Sequence, residues 1–183
     1  LYQQNSLRDA LIAGINLNIF NNNCERVQMA NIAQIVNVLQ ALILTRGKEM
    51  ILTPTYHVFD LYKVHQNAEL LDFELKCESY EVNGDSIPAL SASVSEDREG
   101  SINITFCNLN AERSVSLEGI LNSCEPDIDT VMARVLTAGK VNAHNTFKEA
   151  DRVKPEPFNK IKLKGNGFEA ELPPASVVLL RLE

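Results

Sequence analysis

The chain has 183 residues, 45% of them hydrophobic, enough to bury a sizeable core and enough to hold parts of two domains. A formal net charge of -7 argues against nucleic acid as a partner, because neutralising phosphates requires clustered Lys and Arg. The longest apolar run, Val36 to Leu44, is broken by Asn37 and Gln40 and falls well short of the roughly 20 residues that cross a bilayer, so no membrane partner is expected.

The opening residues, Leu1 to Asn5, carry neither an initiating Met nor a basic segment of the kind that begins a signal peptide, and predict that the sequence starts in mid-protein. Leu7, Leu11 and Ile15 then recur at helical spacing, with Ala10, Gly14 and Leu17 widening the stripe, and predict a helix from about Leu7 to Phe20. Ser6 followed three residues later by Asp9 has the form of a capping box. Asn21, Asn22 and Asn23 suit a helix end, since Asn tolerates the left-handed conformation that stops helices. Arg26 to Ala30 reads as a short strand and Ile32 to Leu39 as a mainly apolar segment. Thr53 and Pro54 supply an N-cap and a proline at the first helical position, opening a helix to about Val64.

Near residue 67 the period changes from helical to alternating. Phe73/Leu75/Cys77, Leu90/Ala92/Val94, Ile102/Ile104/Phe106, Val115/Leu117, Val131/Ala133/Val135, Ile161/Leu163, Phe168/Ala170/Leu172 and Val177/Leu179 predict strands with one buried face. Between them Asn83-Gly84-Asp85, Glu99-Gly100, Asn110-Ala111-Glu112 and Gly165-Asn166-Gly167 are turn chemistry, and Asn142 to Asn159, with Pro155 and Pro157, is a long polar loop. The pattern predicts a β-sandwich, of jelly-roll type, over residues 68–183. Helix, strand and helix over residues 1–67 belong to a parallel α/β unit, and a unit that short cannot cover both faces of a sheet by itself.

Few side chains stand out chemically. Cys24, Cys77, Cys107 and Cys124 have no CxxC pairing and no nearby His at zinc-ligand spacing, and are expected to be free, buried structural thiols. His57, His65 and His144 have no third ligand at a metal-binding spacing, so neither a metal nor any other cofactor is expected. Tyr56 and Phe59, at helical spacing, read as core rather than as a sugar-stacking pair.

The run Asn5-Ser6-Leu7-Arg8-Asp9-Ala10-Leu11-Ile12-Ala13-Gly14, then Arg26 to Val38, then Thr53-Pro54-Thr55-Tyr56-His57-Val58-Phe59, resembles the C-terminal third of α-L-arabinofuranosidases of glycoside hydrolase family 51. The closing Leu172 to Val178 resembles the last hairpin of that family's sandwich. The resemblance implies the C-terminal fragment of a (β/α)8 barrel over residues 1–67 (seventh helix, eighth strand, eighth helix), followed by the jelly-roll-like sandwich over residues 68–183. It implies a retaining hydrolase that releases terminal α-L-arabinofuranosyl units from arabinose-containing oligosaccharides and polysaccharides. Retention needs two carboxyl groups about 5 Å apart. In the family these are glutamates on the fourth and seventh strands, upstream of Leu1, so no catalytic residue is expected here and the chain alone should be inactive.

Asp9, Glu25 and Asp60 are no substitutes: Asp9 suits a helix N-terminus, Glu25 precedes the presumed eighth strand, and Asp60 belongs on a solvated helix face. One position matches a functional residue of the family, Gln34, as a substrate-binding amide just past that strand. A residue leaving the C-terminal end of a barrel strand faces the active site, and an amide both donates to and accepts from sugar hydroxyls. Asn31 and Asn37 flank it and serve turns more readily than a pocket. The competing reading, a non-catalytic carbohydrate-binding or interaction module, calls for an exposed aromatic platform, and the chain has no Trp and only four Tyr. A barrel segment separated from its other strands would expose apolar faces and recruit a second copy of the chain. Free thiols and family habit suggest a cytoplasmic protein.

Overall fold

The computed structural model describes residues 5–32, 35–122, 128 and 130–183. Helix α1 spans Leu7–Asn21 and α2 spans Pro54–Tyr62, extended by a 3₁₀ turn over Lys63–His65. The strands are β1 (Ile43–Arg46), β2 (Glu49–Leu52), β3 (Glu69–Leu70), β4 (Ser79–Val82), β5 (Asp85–Pro88), β6 (Leu90–Glu96), β7 (Ile102–Asn108), β8 (Val115–Ile120), β9 (Val131–Leu136), β10 (Glu156–Pro157), β11 (Ile161–Lys164), β12 (Gly167–Leu172) and β13 (Ser176–Leu182). One antiparallel sheet runs β10-β9-β13-β7-β6-β3, a second β11-β12-β8, and β1-β2 and β4-β5 are separate hairpins. The β4-β5 turn, Asn83-Gly84, has φ of 53° and 91°, the two left-handed positions of the tightest hairpin turn.

The two larger sheets face each other across a core that includes Leu90, Ala92, Ile104, Phe106, Phe168, Leu172, Val178 and Leu180. The far face of the six-stranded sheet is covered as well. There Leu7, Ala10 and Leu11 of α1 and Val58, Leu61 and Tyr62 of α2 pack on Cys107, Leu136 and Val177. The molecule therefore has three layers, and β7 and β13 are buried on both sides. The alternation read from the sequence correctly marks β6, β7, β9 and β13, but polar positions of β6 and β7 such as Ser93 and Thr105 lie under helices, not in water.

Both helices begin as their sequences dictate. Ser6 donates to Asp9 Oδ2 from its backbone N–H (2.8 Å) and its hydroxyl (2.7 Å), and Thr53 Oγ1 accepts from the Tyr56 N–H at 3.3 Å. The first free N–H groups of α1 find partners in the long polar loop: Leu7 donates to Ala143 O and Arg8 to Val141 O, each at 2.9 Å. Asn145 pins that loop by accepting from the Val153 N–H (2.7 Å) and donating to Val153 O and Leu52 O (both 2.9 Å).

Several expectations need correction. Arg26 to Ala30 forms no strand, because a strand exists through its ladder and no described segment runs beside it. Phe73 to Cys77 also lacks ladder bonds: Leu75 and Cys77 lean on the core while Phe73 is 40% exposed. Asn22 ends α1 in the right-handed region, φ -68°, so no left-handed residue stops that helix. The buried residues of α2 are Pro54, Thr55, Val58, Leu61 and Tyr62, which leaves Tyr56 and Phe59 half-buried on its flank. Among the described cysteines, which are free, Cys107 is buried, Cys77 is intermediate and Cys24 is exposed; Cys124 lies outside the described residues.

Candidate functional site

Gln34 lies outside the described residues. The chain just beyond it is held firmly: Ile35 O accepts from the N–H groups of Leu42 and Ile43 at 3.0 Å, and Val36 bridges to Ile43 in parallel. Asn37 adopts φ +54°, accepts from the Thr45 N–H at 2.8 Å and donates to Thr45 Oγ1 at 2.7 Å, which makes it a builder of the turn. Asn31 is exposed. The N-terminus of α1 meets the same loop: Asn5 donates its amide to Ala41 O, which also accepts from Thr53 Oγ1 at 2.9 Å, and Gln40 donates to Asp9 Oδ1 at 3.5 Å.

The three carboxylates weighed from the sequence stand in separate settings. Asp9 is committed to the helix start, Glu25 sits exposed in the turns after α1, and Asp60 pairs with Lys63 at 2.7 Å. Among the described residues no group of His, Cys, Asp and Glu is arranged to hold a metal.

A cleft of about 1050 Å³ opens between the two sheets, walled by Leu75, Ala92, Val94, Ile104 and Leu117 with Glu74 and Glu118 also lining it. Phe106 and Phe168 meet edge-on within the core, centroids 6.5 Å apart. Tyr80 is the only tyrosine beyond residue 67, so this half offers no paired tyrosine platform for a sugar ring.

The most elaborate polar arrangement lies between the helical layer and β6 and β7. Thr105 Oγ1 donates to Asn18 Oδ1 at 2.9 Å, so it must accept from His65 Nε2 at 3.0 Å; His65 Nδ1 is then the acceptor for Ser95 Oγ at 2.7 Å. Asn18 Nδ2 continues the chain to Ser91 Oγ at 3.1 Å. Burial lowers the His65 pKa to about 4. Burial also lowers that of His57, a shift opposed by the nearby carboxylates of Asp60 and Asp151. Next to the chain, Tyr62 Oη lies 3.1 Å from Gly14 O and 3.5 Å from Cys107 Sγ; burial raises the tyrosine well above its usual range and pushes the thiol up to about 12. That thiol is inert rather than reactive. Sequence reading passed over this network because Ser91, Ser93 and Ser95, alternating along β6, look like a solvated face. Their one warning sign is Asn103 and Thr105, polar residues on the same face of a β7 that is otherwise apolar.

The geometry defines a class: a helix-backed antiparallel sandwich in which the carboxylates singled out from the sequence serve structure or solvent. The chain belongs to the alpha-L-arabinofuranosidase C-terminal domain family, whose model matches residues 1–176. It is 42% identical over its whole length to an intracellular exo-alpha-L-arabinofuranosidase of Bacteroides ovatus, of which it covers 35%. It superposes with a TM-score of 0.96 and 41% identity on the GH51 arabinofuranosidase of Xanthomonas axonopodis pv. citri, covering all of this chain and 37% of that one. A GH30 xylanase C catalytic domain from Talaromyces cellulolyticus shares the fold alone, with a TM-score of 0.63 at 15% identity. The chain spans about a third of the length of the first curated relative it matches.

Proposed function

We propose that this chain is the C-terminal part of a retaining α-L-arabinofuranosidase that hydrolyses terminal non-reducing α-L-arabinofuranosyl units of arabinose-containing oligosaccharides and polysaccharides. The observation that carries the reading is the 42% identity to an exo-acting arabinofuranosidase over the full 183 residues. The catalytic acid/base and nucleophile, a pair of glutamates about 5 Å apart in a retaining enzyme, lie in the part of the protein upstream of Leu1. Residues 1–67 are then the end of the catalytic (β/α)8 barrel and residues 68–183 a jelly-roll-like sandwich that supports it.

Two features favour the barrel reading. Helix α1 is apolar nearly all round, with Ile12 and Ile19 each 51% exposed on the side away from the sheet, and such a helix belongs between two layers. Beyond it Met29, Ile35, Val36, Leu39 and Met50 also face outward, which is where further barrel elements would pack. The pinned loop from Ile35 to Leu42 and the N-terminus of α1 would then share one end of the barrel. Gln34, at the start of that loop, would bind the arabinofuranose ring. The relatives named intracellular from Bacteroides ovatus and Streptomyces lividans favour a cytoplasmic protein.

The test is turnover of an aryl α-L-arabinofuranoside. The full-length protein is expected to hydrolyse it with retention and the 183-residue chain to show no turnover. Activity in the chain that disappears on changing one of its own carboxylates would overturn the placement of the catalytic pair. A full-length protein inactive on that substrate would overturn the activity itself.

A further inference from the structure

The buried chain of hydrogen bonds through His65 has a direction and a weak link. Thr105 spends its one hydroxyl proton on Asn18, which fixes His65 as the neutral tautomer with its proton on Nε2 and an open lone pair on Nδ1 for Ser95. His65 belongs to the helical layer, Ser95 and Thr105 to the sheet, and Asn18 to α1. Asn18, Ser95 and Thr105 are all buried, the outermost only 3% exposed. The bonds join the two layers at the place where their contact is polar rather than apolar.

A proton arriving from solvent has one place to bind, the Nδ1 lone pair. Once it is there the Ser95 hydroxyl has lost its acceptor, and both ring nitrogens are donors. The groups around the ring cannot balance the new charge. Tyr62, on the same helical layer, stands edge-on with centroids 5.8 Å apart, and Cys107 on β7 lies behind it; both are neutral and held so by burial. α1 presents the amide of Asn18, and β6 and β7 present hydroxyls. Burial depresses the basicity of the imidazole.

We propose that the Ser95–His65–Thr105–Asn18 chain is an acid-released latch: the neutral imidazole docks the helical layer on β6 and β7, and protonation of Nδ1 undocks it while the sandwich beneath stays folded. The two parts respond differently because the sandwich core between the sheets is built from apolar side chains and holds no histidine, whereas the helical layer carries His65 and, on α2, His57, whose loss of basicity on burial is opposed by Asp60 and Asp151.

Peptide-resolved hydrogen exchange on the full-length protein, corrected for the intrinsic pH dependence of exchange, tests this. Between pH 7 and pH 5 the opening of α1 and of the 3₁₀ turn is expected to rise roughly 20-fold, from linkage between an open-state value near 6.5 and the buried one near 4, while β7 and β13 keep their protection. His65→Gln can donate to Thr105 and accept from Ser95 without titrating, so it is expected to remove most of the acid response of α1 and the 3₁₀ turn. Ser95→Ala keeps the imidazole but removes the donor that favours its neutral form, so it is expected to raise the opening already present at pH 7 and to shrink the further rise between pH 7 and pH 5. An acid response unchanged in His65→Gln would overturn the latch. So would a Ser95→Ala protein whose rise between pH 7 and pH 5 is as large as the parent's, a measurement that stands even if His65→Gln fails to fold.

Discussion

At position 14 the space that a side chain would need is already taken. A Cβ on Gly14 would stand 2.7 Å from Cys107 Sγ and 3.3 Å from Tyr62 Oη, so this glycine is what lets α1 lie close on β7. Gly14→Ala gains up to about 1 kcal/mol of helix propensity but forces two packed layers apart, a cost of about 1–3 kcal/mol, and a net loss is expected in a denaturant melt. Adding Cys107→Ala should recover most of that loss, because the nearest obstructing atom is then gone. At Gln34 the expected effect is on catalysis: Gln34→Ala in the full-length protein should lower kcat/KM for an aryl arabinofuranoside roughly tenfold, the worth of about one hydrogen bond. An unchanged value would remove Gln34 from the site. Residue-scale features were legible where they are local. The Ser6–Asp9 box and the Thr53 cap depend on neighbours three residues away, so the sequence displays both partners. Asn37 was less legible, since only the fold brings Thr45 to it.

The element scale shows why the helical layer is the acid-sensitive part of the structure. The value for His65 in the fold, about 4, lies below its ordinary 6.5. Its contribution is therefore fully present above pH 6.5 and is lost as pH falls toward 4. The gap corresponds to about 3 kcal/mol, a large fraction of the stability of a domain. The rim responds only at lower pH: Asp97, joined to Arg181 at 3.0 Å, is partly desolvated, yet hydrogen bonds from Asn103, Ser101 and Glu99 hold its carboxyl below the usual value, so its contribution is lost below that value and not between pH 7 and pH 5. Strand content was read well from alternation because a pleated chain with one apolar face has no other use for that period. The β1-β2 hairpin escaped that reading: its strands have four residues each, β1 begins inside the interrupted apolar run Val36 to Leu44, and neither has an alternation to mark it. Arg26 to Ala30 failed in the opposite sense, having the composition of a strand without a neighbour to pair with.

For the whole molecule, the distribution of exposed apolar side chains is uneven. Ile12, Ile19, Met29, Ile35, Val36, Leu39 and Met50 all lie in the first 50 residues and are all at least 45% exposed. The isolated chain is expected to self-associate through this side, measurable as concentration-dependent sedimentation, and Ile12→Lys with Ile19→Lys should reduce it. Sedimentation as a monomer at all concentrations would show that these side chains are not an adhesive surface. The sequence by itself determined the helix starts, most of the strands and the family, because capping, alternation and a contiguous motif are written in short spans. Only the tertiary structure decided which faces are buried. A serine on a strand has the same local sequence whether water or a helix lies above it, and the layer of α1 and α2 over β6 and β7 turned an apparently solvated stripe into the buried chain that runs through His65.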